Sequence, residues 1–263
     1  MAVAAIFAST IACHAADGKT TAEASWKAGI EAYNNKDYAT AVEAFERIVA
    51  IDYASADVYY NLANAYFKLG QTNSEGRPFG GGELGRAVLN YERALKLDPT
   101  NDDARYNLDI AKDLTNDTEA VPESLLVRVW SAMAGWMTTN GWAGLSVAML
   151  AIVALLVLLY LLHTSTVVRK VSFFVALVAL LLFAFATALS LTQRSAANQD
   201  NRAVVITTDT TPVHSSPDSS SKIIRQPSQG VTVEVARTEG EWCEVRFVDG
   251  EKGWIRSRNV EII

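Results

Sequence analysis

The middle of the chain carries two long apolar runs, residues 143–162 and 171–191, and neither contains a charged residue. A helix rises about 1.5 Å per residue, so about 20 apolar residues cross the ~30 Å hydrocarbon core of a bilayer. Only residues 163–170 separate the two runs, which is too few for a domain. The pattern therefore predicts a transmembrane hairpin, with both flanking regions on the same side of the membrane.

The start of the chain has the pattern of a secretory signal peptide. Residues 2–12 are apolar but too short to span a bilayer, and Cys13 and Ala15 then give an A-x-A-like cleavage pattern. We therefore predict that residues 1–15 are a signal peptide. The sequence Thr-Ile-Ala-Cys also resembles a lipoprotein box with Thr10 in place of the usual Leu, so lipidation of Cys13 is the alternative.

A translocated N-terminus fixes the expected orientation. The regions before and after the hairpin are then periplasmic in a bacterial inner membrane, and the loop 163–170 is cytoplasmic. Arg169 and Lys170 lie in this loop, as the positive-inside rule expects. With residues 1–15 removed, Cys243 is the only cysteine. A single cysteine forms no intrachain disulfide, and we expect Cys243 to be a small buried side chain of a strand.

Charge and motifs exclude several classes of function. Residues 16–122 carry 11 Lys and Arg against 18 Asp and Glu, and residues 203–263 carry 7 against 9. Acidic surfaces repel phosphates, so we expect no nucleic acid partner. The sequence contains no Ser/His/Asp set, Cys/His pair, H-E-x-x-H motif or P-loop. We therefore expect a protein that is not an enzyme and has no cofactor and no metal site.

Residues 22–114 contain a repeat with a 34-residue period. The sequences 61–70 and 87–99 resemble the first and second helices of a tetratricopeptide repeat, with small residues where helices nest and aromatic residues between them. A further first helix, residues 102–114, is expected to cap two full repeats. A 12-residue insertion, 71–82, separates the two helices of the second repeat.

The resemblance to tetratricopeptide repeats implies a concave groove that binds a peptide or a helix. The groove positions are Trp26, Ile30, Tyr33, Tyr60, Asn64, Phe67, Tyr106 and Ile110. Packing against neighbouring helices is the alternative for each residue. Chaperone-binding members clamp a terminal carboxylate with lysines, but Tyr60 and Asp103 stand at lysine positions here. We therefore expect no carboxylate clamp.

The insertion leads into Gly-Gly-Gly-Glu-Leu-Gly at residues 80–85, which is formally a G-x-G-x-x-G sequence. A dinucleotide site requires a strand before this motif, but a repeat helix precedes it here. We interpret the segment as a loop, with Arg77 and Phe79 placed to contact a partner.

An amphipathic helix is predicted at residues 122–140, directly before the first span. Pro122 suits the first turn of a helix because its missing N–H has no partner there. Trp130, Trp136 and Trp142 cluster close to the span, and indole rings favour the headgroup layer. We expect a helix lying on the outer leaflet, with packing beneath the repeats as the alternative.

Residues 203–263 form short segments rich in β-branched and aromatic residues, separated by Gly and Pro. Asp249-Gly250 predicts a tight hairpin turn. Together with Gly253-Trp254-Ile255, this pattern resembles a bacterial SH3 domain and implies a small all-β barrel. Such domains bind cell-wall peptides or protein segments, so Trp242 and Trp254 are expected on a ligand face. Core packing is the alternative for both tryptophans.

The whole order of elements predicts a multidomain protein: an all-α tetratricopeptide array, a two-helix transmembrane hairpin and a small all-β barrel. This order, together with residues 85–99, resembles the tetratricopeptide-repeat member of the Bacteroides aerotolerance (Bat) operon proteins. The resemblance implies other Bat-operon proteins as partners, membrane partners with von Willebrand factor A domains, and a role in oxygen or envelope stress tolerance.

Two functions therefore stay open. The chain is a membrane-anchored periplasmic adaptor, or it is a cell-wall sensor or anchor that binds peptidoglycan. A transporter subunit is disfavoured because two uncharged spans line no pore.

Overall fold

The computed structural model of the chain describes residues 2–72, 79–115, 125–197, 201–207 and 211–263. These residues divide into two compact units. The first unit combines the helices before the hairpin with the β domain after it. The second unit holds the apolar helices.

The repeat array consists of five helices: α1 Ala2–Asn34, α2 Tyr38–Ala50, α3 Ala56–Thr72, α4 Glu83–Leu97 and α5 Asp102–Asp113. Each helix packs on the next one along the chain. Small residues allow this close approach, since a Cβ atom on Gly29 would lie 2.7 Å from the ring of Phe45. Asp37 and Asn101 begin α2 and α5 by accepting hydrogen bonds from main-chain N–H groups three residues later.

The helix α1 is continuous from Ala2, so residues predicted as a signal peptide lead directly into the first repeat helix. Cleavage after Ala15 stays a prediction. Residues 79–82, which precede α4, fall within the predicted insertion, and Arg77 lies outside the described residues. Phe79, which we expected to contact a partner, is instead buried against Phe67, with ring centroids 5.4 Å apart.

The second unit contains α6 Leu125–Ala134, α7 Thr139–Leu162 and α8 Thr166–Ala197. Both α7 and α8 are long and apolar enough to cross a membrane. The bounds differ from those predicted because α7 and α8 continue through polar residues that a search for apolar runs leaves out. The link between them is therefore residues 163–165 rather than 163–170.

The predicted helix 122–140 is interrupted in the structure. Helix α6 ends at Ala134, and α7 begins after a turn because the Thr138 hydroxyl accepts a hydrogen bond from Gly141 N–H (3.2 Å). Gln193 of α8 holds this turn by donating to the main-chain oxygens of Ala134 (2.5 Å) and Met137 (2.9 Å). The predicted position of α6 on a leaflet stays a prediction.

The SH3-like domain is a seven-stranded antiparallel sheet with the order β3-β2-β6-β5-β4-β1-β7. The strands are β1 Arg202–Val205, β2 Val213–His214, β3 Ile223–Arg225, β4 Thr232–Glu239, β5 Trp242–Arg246, β6 Lys252–Arg256 and β7 Val260–Ile262. Gly250, with a φ of +89°, lies in the turn between β5 and β6. Cys243 is buried in β5, facing the domain's core with Val245 and Ile255.

Candidate functional site

The predicted groove is built on three helices, and its first part lies on α1. Trp26, Ile30 and Tyr33 are all half-buried there. Trp26 packs edge-on against Phe45 with ring centroids 5.7 Å apart. Trp26 and Ile30 also line an open cleft of about 390 Å³, so one side of each remains accessible. Trp26 and Ile30 therefore pack against the array on one side and remain open to a ligand on the other.

The second part of the groove has a hydrogen-bonded polar centre on α3 and α5. The Asn64 side-chain oxygen accepts from the Tyr91 hydroxyl (2.6 Å) and from the Asn107 amide (3.1 Å). The Asn107 amide also lies 3.5 Å from the Tyr60 hydroxyl. Burial raises the pKa of Tyr91, and the phenols of Tyr60 and Tyr33 raise it further, so this group is a neutral hydrogen-bond donor.

The apolar groove positions differ strongly in exposure. Phe67 is half-buried against Phe79, whereas Tyr106 is 68 % exposed and Ile110 is 37 % exposed. The structure therefore brings Tyr60 and Asn64 together with Asn107, and it leaves the two apolar residues of α5 open. Asn107 is not among the groove positions predicted from sequence, yet it belongs to this polar centre.

The two tryptophans of the SH3-like domain lie on the outer face of β5 and β6. Trp254 is only 6 % exposed, and the Arg237 guanidinium lies 4.9 Å from its ring centroid. Trp242 is half-buried beneath Arg256, also at 4.9 Å, and the buried ring of His214 packs edge-on against it. Both rings are therefore covered in part by arginines, and Trp242 is the more accessible of the two.

A contact between the repeat array and the SH3-like domain forms a further surface, which we call the junction. Strand β1 is buried on both sides: Ala203 and Val205 face the domain's own core, whereas Val204 packs into the core of the array. Ile263, after strand β7, packs into the core of the array as well.

The glycine-rich motif at residues 80–85 belongs to the junction. A Cβ atom on Gly85 would lie 2.6 Å from the main-chain oxygen of Val205, so glycine is required for this close approach. The Gln229 side chain fills the remaining space by donating to the oxygen of Phe79 (2.5 Å) and accepting from Gly85 N–H (3.2 Å). The motif therefore has a structural role here.

A buried carboxylate also links the two domains. Glu92 of α4 lies between Lys112 of α5 (2.6 Å) and Arg202 of β1 (3.1 Å). Burial raises the pKa of Glu92, but the two cations outweigh it and hold that pKa below its ordinary value. Arg93 adds a bridge to Glu261 at 2.9 Å.

Sequence reasoning missed the junction for a physical reason. Glu92 and Arg202 are separated in the chain by the whole hairpin, so no local pattern connects them. The signal that sequence did offer is Glu92 itself, an acidic residue at a buried position of α4, which requires a cation from elsewhere in the chain.

Comparison with known families identifies the two domain types. Models described as TPR repeat and tetratricopeptide repeat match residues 79–110 and 56–74, and a bacterial SH3 domain model matches residues 209–261. No curated protein matches the chain. The predicted fold class is thus confirmed: a helical tetratricopeptide region, two apolar helices that could span a membrane, and an antiparallel sheet that matches an SH3 domain.

These matches also indicate a function in binding. Tetratricopeptide repeats indicate protein–protein interaction, bacterial SH3 domains indicate cell-wall binding, and no enzyme family is found. Within the described residues, no group of three or more His, Cys, Asp or Glu side chains is placed to hold a metal ion.

Proposed function

We propose that this protein is a non-catalytic adaptor of the bacterial inner membrane, whose repeat groove binds a segment of a partner protein in the periplasm. One observation carries the proposal: the groove has a polar centre at Tyr60, Asn64 and Asn107 beside the exposed side chains of Tyr106 and Ile110. Amide and hydroxyl groups can pair with a partner's main chain, and aromatic rings supply apolar contact area.

The junction supports the proposed topology. Helix α4 precedes the hairpin and strand β1 follows it, yet Glu92 and Arg202 are in direct contact. Two regions that touch lie on the same side of a membrane, so the chain between them crosses an even number of times. Two spans satisfy this requirement. The hairpin then confines the groove to the membrane surface, which raises its effective concentration toward a membrane partner.

The identity of the partners comes from the resemblance to the Bat operon proteins alone. On that basis, the adaptor binds membrane proteins that carry von Willebrand factor A domains, together with other Bat-operon proteins, and acts in oxygen or envelope stress tolerance.

Capture of partners from crosslinked cells tests the groove. We expect Tyr60→Ala with Phe67→Ala to abolish recovery of the partner. Leu97→Ala with Val248→Ala is the matched control, because both residues are exposed apolar side chains away from the groove. Unchanged recovery with a folded groove variant, checked by circular dichroism, would contradict the proposal.

The SH3-like domain favours a second function, binding to peptidoglycan. The observation behind it is Trp242, a half-buried ring on the outer face of the sheet. Co-sedimentation of the full chain in detergent with purified sacculi distinguishes this function from the first. Enrichment that falls with Trp242→Ala supports it, and no enrichment over a control protein removes it.

A further inference from the structure

Helix α5 has an exposed face that indicates which kind of partner segment the groove binds. This inference rests on the proposed function. Tyr106 and Ile110 are four residues apart and therefore lie on the same side of the helix. Both are exposed, Tyr106 at 68 % and Ile110 at 37 %. The opposite side of the helix is buried, with Ala104, Leu108 and Ala111 packed in the core of the array. Among the described residues, the main packing partner of α5 is helix α4.

Carboxylates flank this apolar pair on both sides. At about 100° per residue, Asp109 and Asp113 fall on one flank of the pair and Asp103 on the other. All three are exposed. Within the part of the chain that the structure describes, none of the three carboxylates has an ion pair or a side-chain hydrogen bond.

The cations of the same helix are already engaged. Lys112 pairs with the buried Glu92 at 2.6 Å, and Arg105 pairs with Asp102 at 2.5 Å. On α4, Arg93 and Lys96 are turned to the junction, where they reach Glu261 and the main-chain oxygen of Ile263. These four cations are thus already paired with groups of the protein itself, and the open face of α5 is left acidic.

We propose that this face docks a cationic amphipathic segment of the partner protein. Apolar side chains of that segment cover Tyr106 and Ile110, and its Lys or Arg residues pair with Asp103, Asp109 and Asp113. The net charge of −7 on residues 16–122 (11 Lys and Arg against 18 Asp and Glu) attracts such a segment over a longer range. The same charge disfavours a second copy of this chain and an anionic lipid surface as occupants.

Fluorescence anisotropy of the full chain in neutral detergent tests this assignment. The probe is a labelled 18-residue amphipathic helix of Leu and Lys, and the same design with Glu in place of Lys is the reference peptide. We expect the Lys peptide to bind and the Glu peptide to show no saturable binding. Asp103→Asn with Asp109→Asn and Asp113→Asn should weaken binding about tenfold, since each exposed pair contributes a few tenths of a kcal/mol.

The matched control changes the same charge elsewhere, in Glu43→Gln with Asp52→Asn and Glu239→Gln, all exposed residues away from α5. We expect this control to change the affinity less than twofold, and Tyr106→Ala with Ile110→Ala to weaken it about tenfold. Equal losses in the two charge variants would show general attraction to an acidic protein and overturn the proposal.

Failure of this inference can be told from failure of the proposed function. If the α5 charge variant captures partners from cells as well as the wild type, while Tyr60→Ala with Phe67→Ala does not, the assignment to α5 is wrong. The groove as a binding site then stands.

Discussion

At the scale of single residues, Gly85 sets how closely strand β1 approaches helix α4. A glycine within a helix normally costs stability, so alanine there should stabilise by up to about 1 kcal/mol. We expect the opposite for Gly85→Ala, a loss of about 1–3 kcal/mol, because the new Cβ would lie 2.6 Å from the Val205 oxygen. Hydrogen exchange of strand β1 measures the loss.

Gly144→Ala is the control for this substitution, since a Cβ atom there would meet no side chain and no other element within 4 Å. Faster exchange in β1 should appear only in the Gly85 variant. A Gly85→Ala protein with wild-type protection would mean that the junction does not depend on this contact.

Glu92 is the second residue for which the structure predicts a measurable effect, a pH-dependent contribution to stability. Its pKa is lower in the folded chain than the ordinary value of 4.5, so the stability it contributes is complete above that value. That stability is lost as the pH falls through the lower folded pKa. We expect Glu92→Gln to cost about 2–3 kcal/mol at pH 7, because the cations lose their buried partner.

Thermal unfolding in detergent between pH 7 and pH 3 checks the Glu92 prediction. The unfolding temperature of the Glu92 variant should fall less steeply with decreasing pH than that of the wild type. Glu43→Gln, at an exposed site, should follow the wild type. If the unfolding temperature of the Glu92 variant fell with pH as steeply as that of the wild type, the pH dependence would have to come from other carboxylates.

At the scale of elements, Gln193 joins α8 to the turn between α6 and α7. Its amide donates to two main-chain oxygens that the turn leaves without helical partners. Gln193→Leu keeps the size of the side chain and removes both bonds, so we expect a loss of about 1–2 kcal/mol. Hydrogen exchange of residues 125–138 should speed up, whereas Ser195→Ala, at an exposed site on the same helix, should leave it unchanged.

The elements that sequence predicts well are those with a local period. The two apolar spans and the repeat helices follow from hydrophobic patterns within one segment. Strands β2 and β3 cannot be located from sequence, because two or three residues between Ser and Pro are too few to show an alternating pattern. The turn at 135–138 was missed for a related reason: the partner that stabilises it, Gln193, lies beyond the first span.

The residues of the candidate site also divide into those that a local sequence pattern predicts and those that it does not. The groove positions follow from the repeat register, so Tyr60, Asn64 and Tyr106 could be named from sequence. The contact of Gln229 with Gly85 and the pairing of Glu92 with Arg202 could not, because each joins residues more than a hundred positions apart. The glycine motif was interpreted from sequence as a loop, and the contact with strand β1 shows why glycine is required at its last position, Gly85.

At the scale of the whole molecule, the proposed topology predicts which positions a membrane-impermeant reagent can label. Single cysteines replace Glu43, Ser220 or His163 in a chain whose own cysteines are changed to serine. All three sites are exposed. A maleimide that cannot cross membranes should label positions 43 and 220 in intact spheroplasts, and position 163 only after permeabilisation. Labelling of position 43 without position 220 would be incompatible with the junction.

The two-sided burial of strand β1 also has a consequence for biosynthesis. Helix α4 is made first, and the strand that covers it is synthesised only after both apolar helices. On the proposed topology, the apolar surface of the array that Val204 covers stays exposed until both apolar helices have inserted and strand β1 has reached it. On the same topology, a chain that inserts wrongly keeps this apolar surface exposed, and we expect such a chain to be degraded more readily than the correctly inserted one.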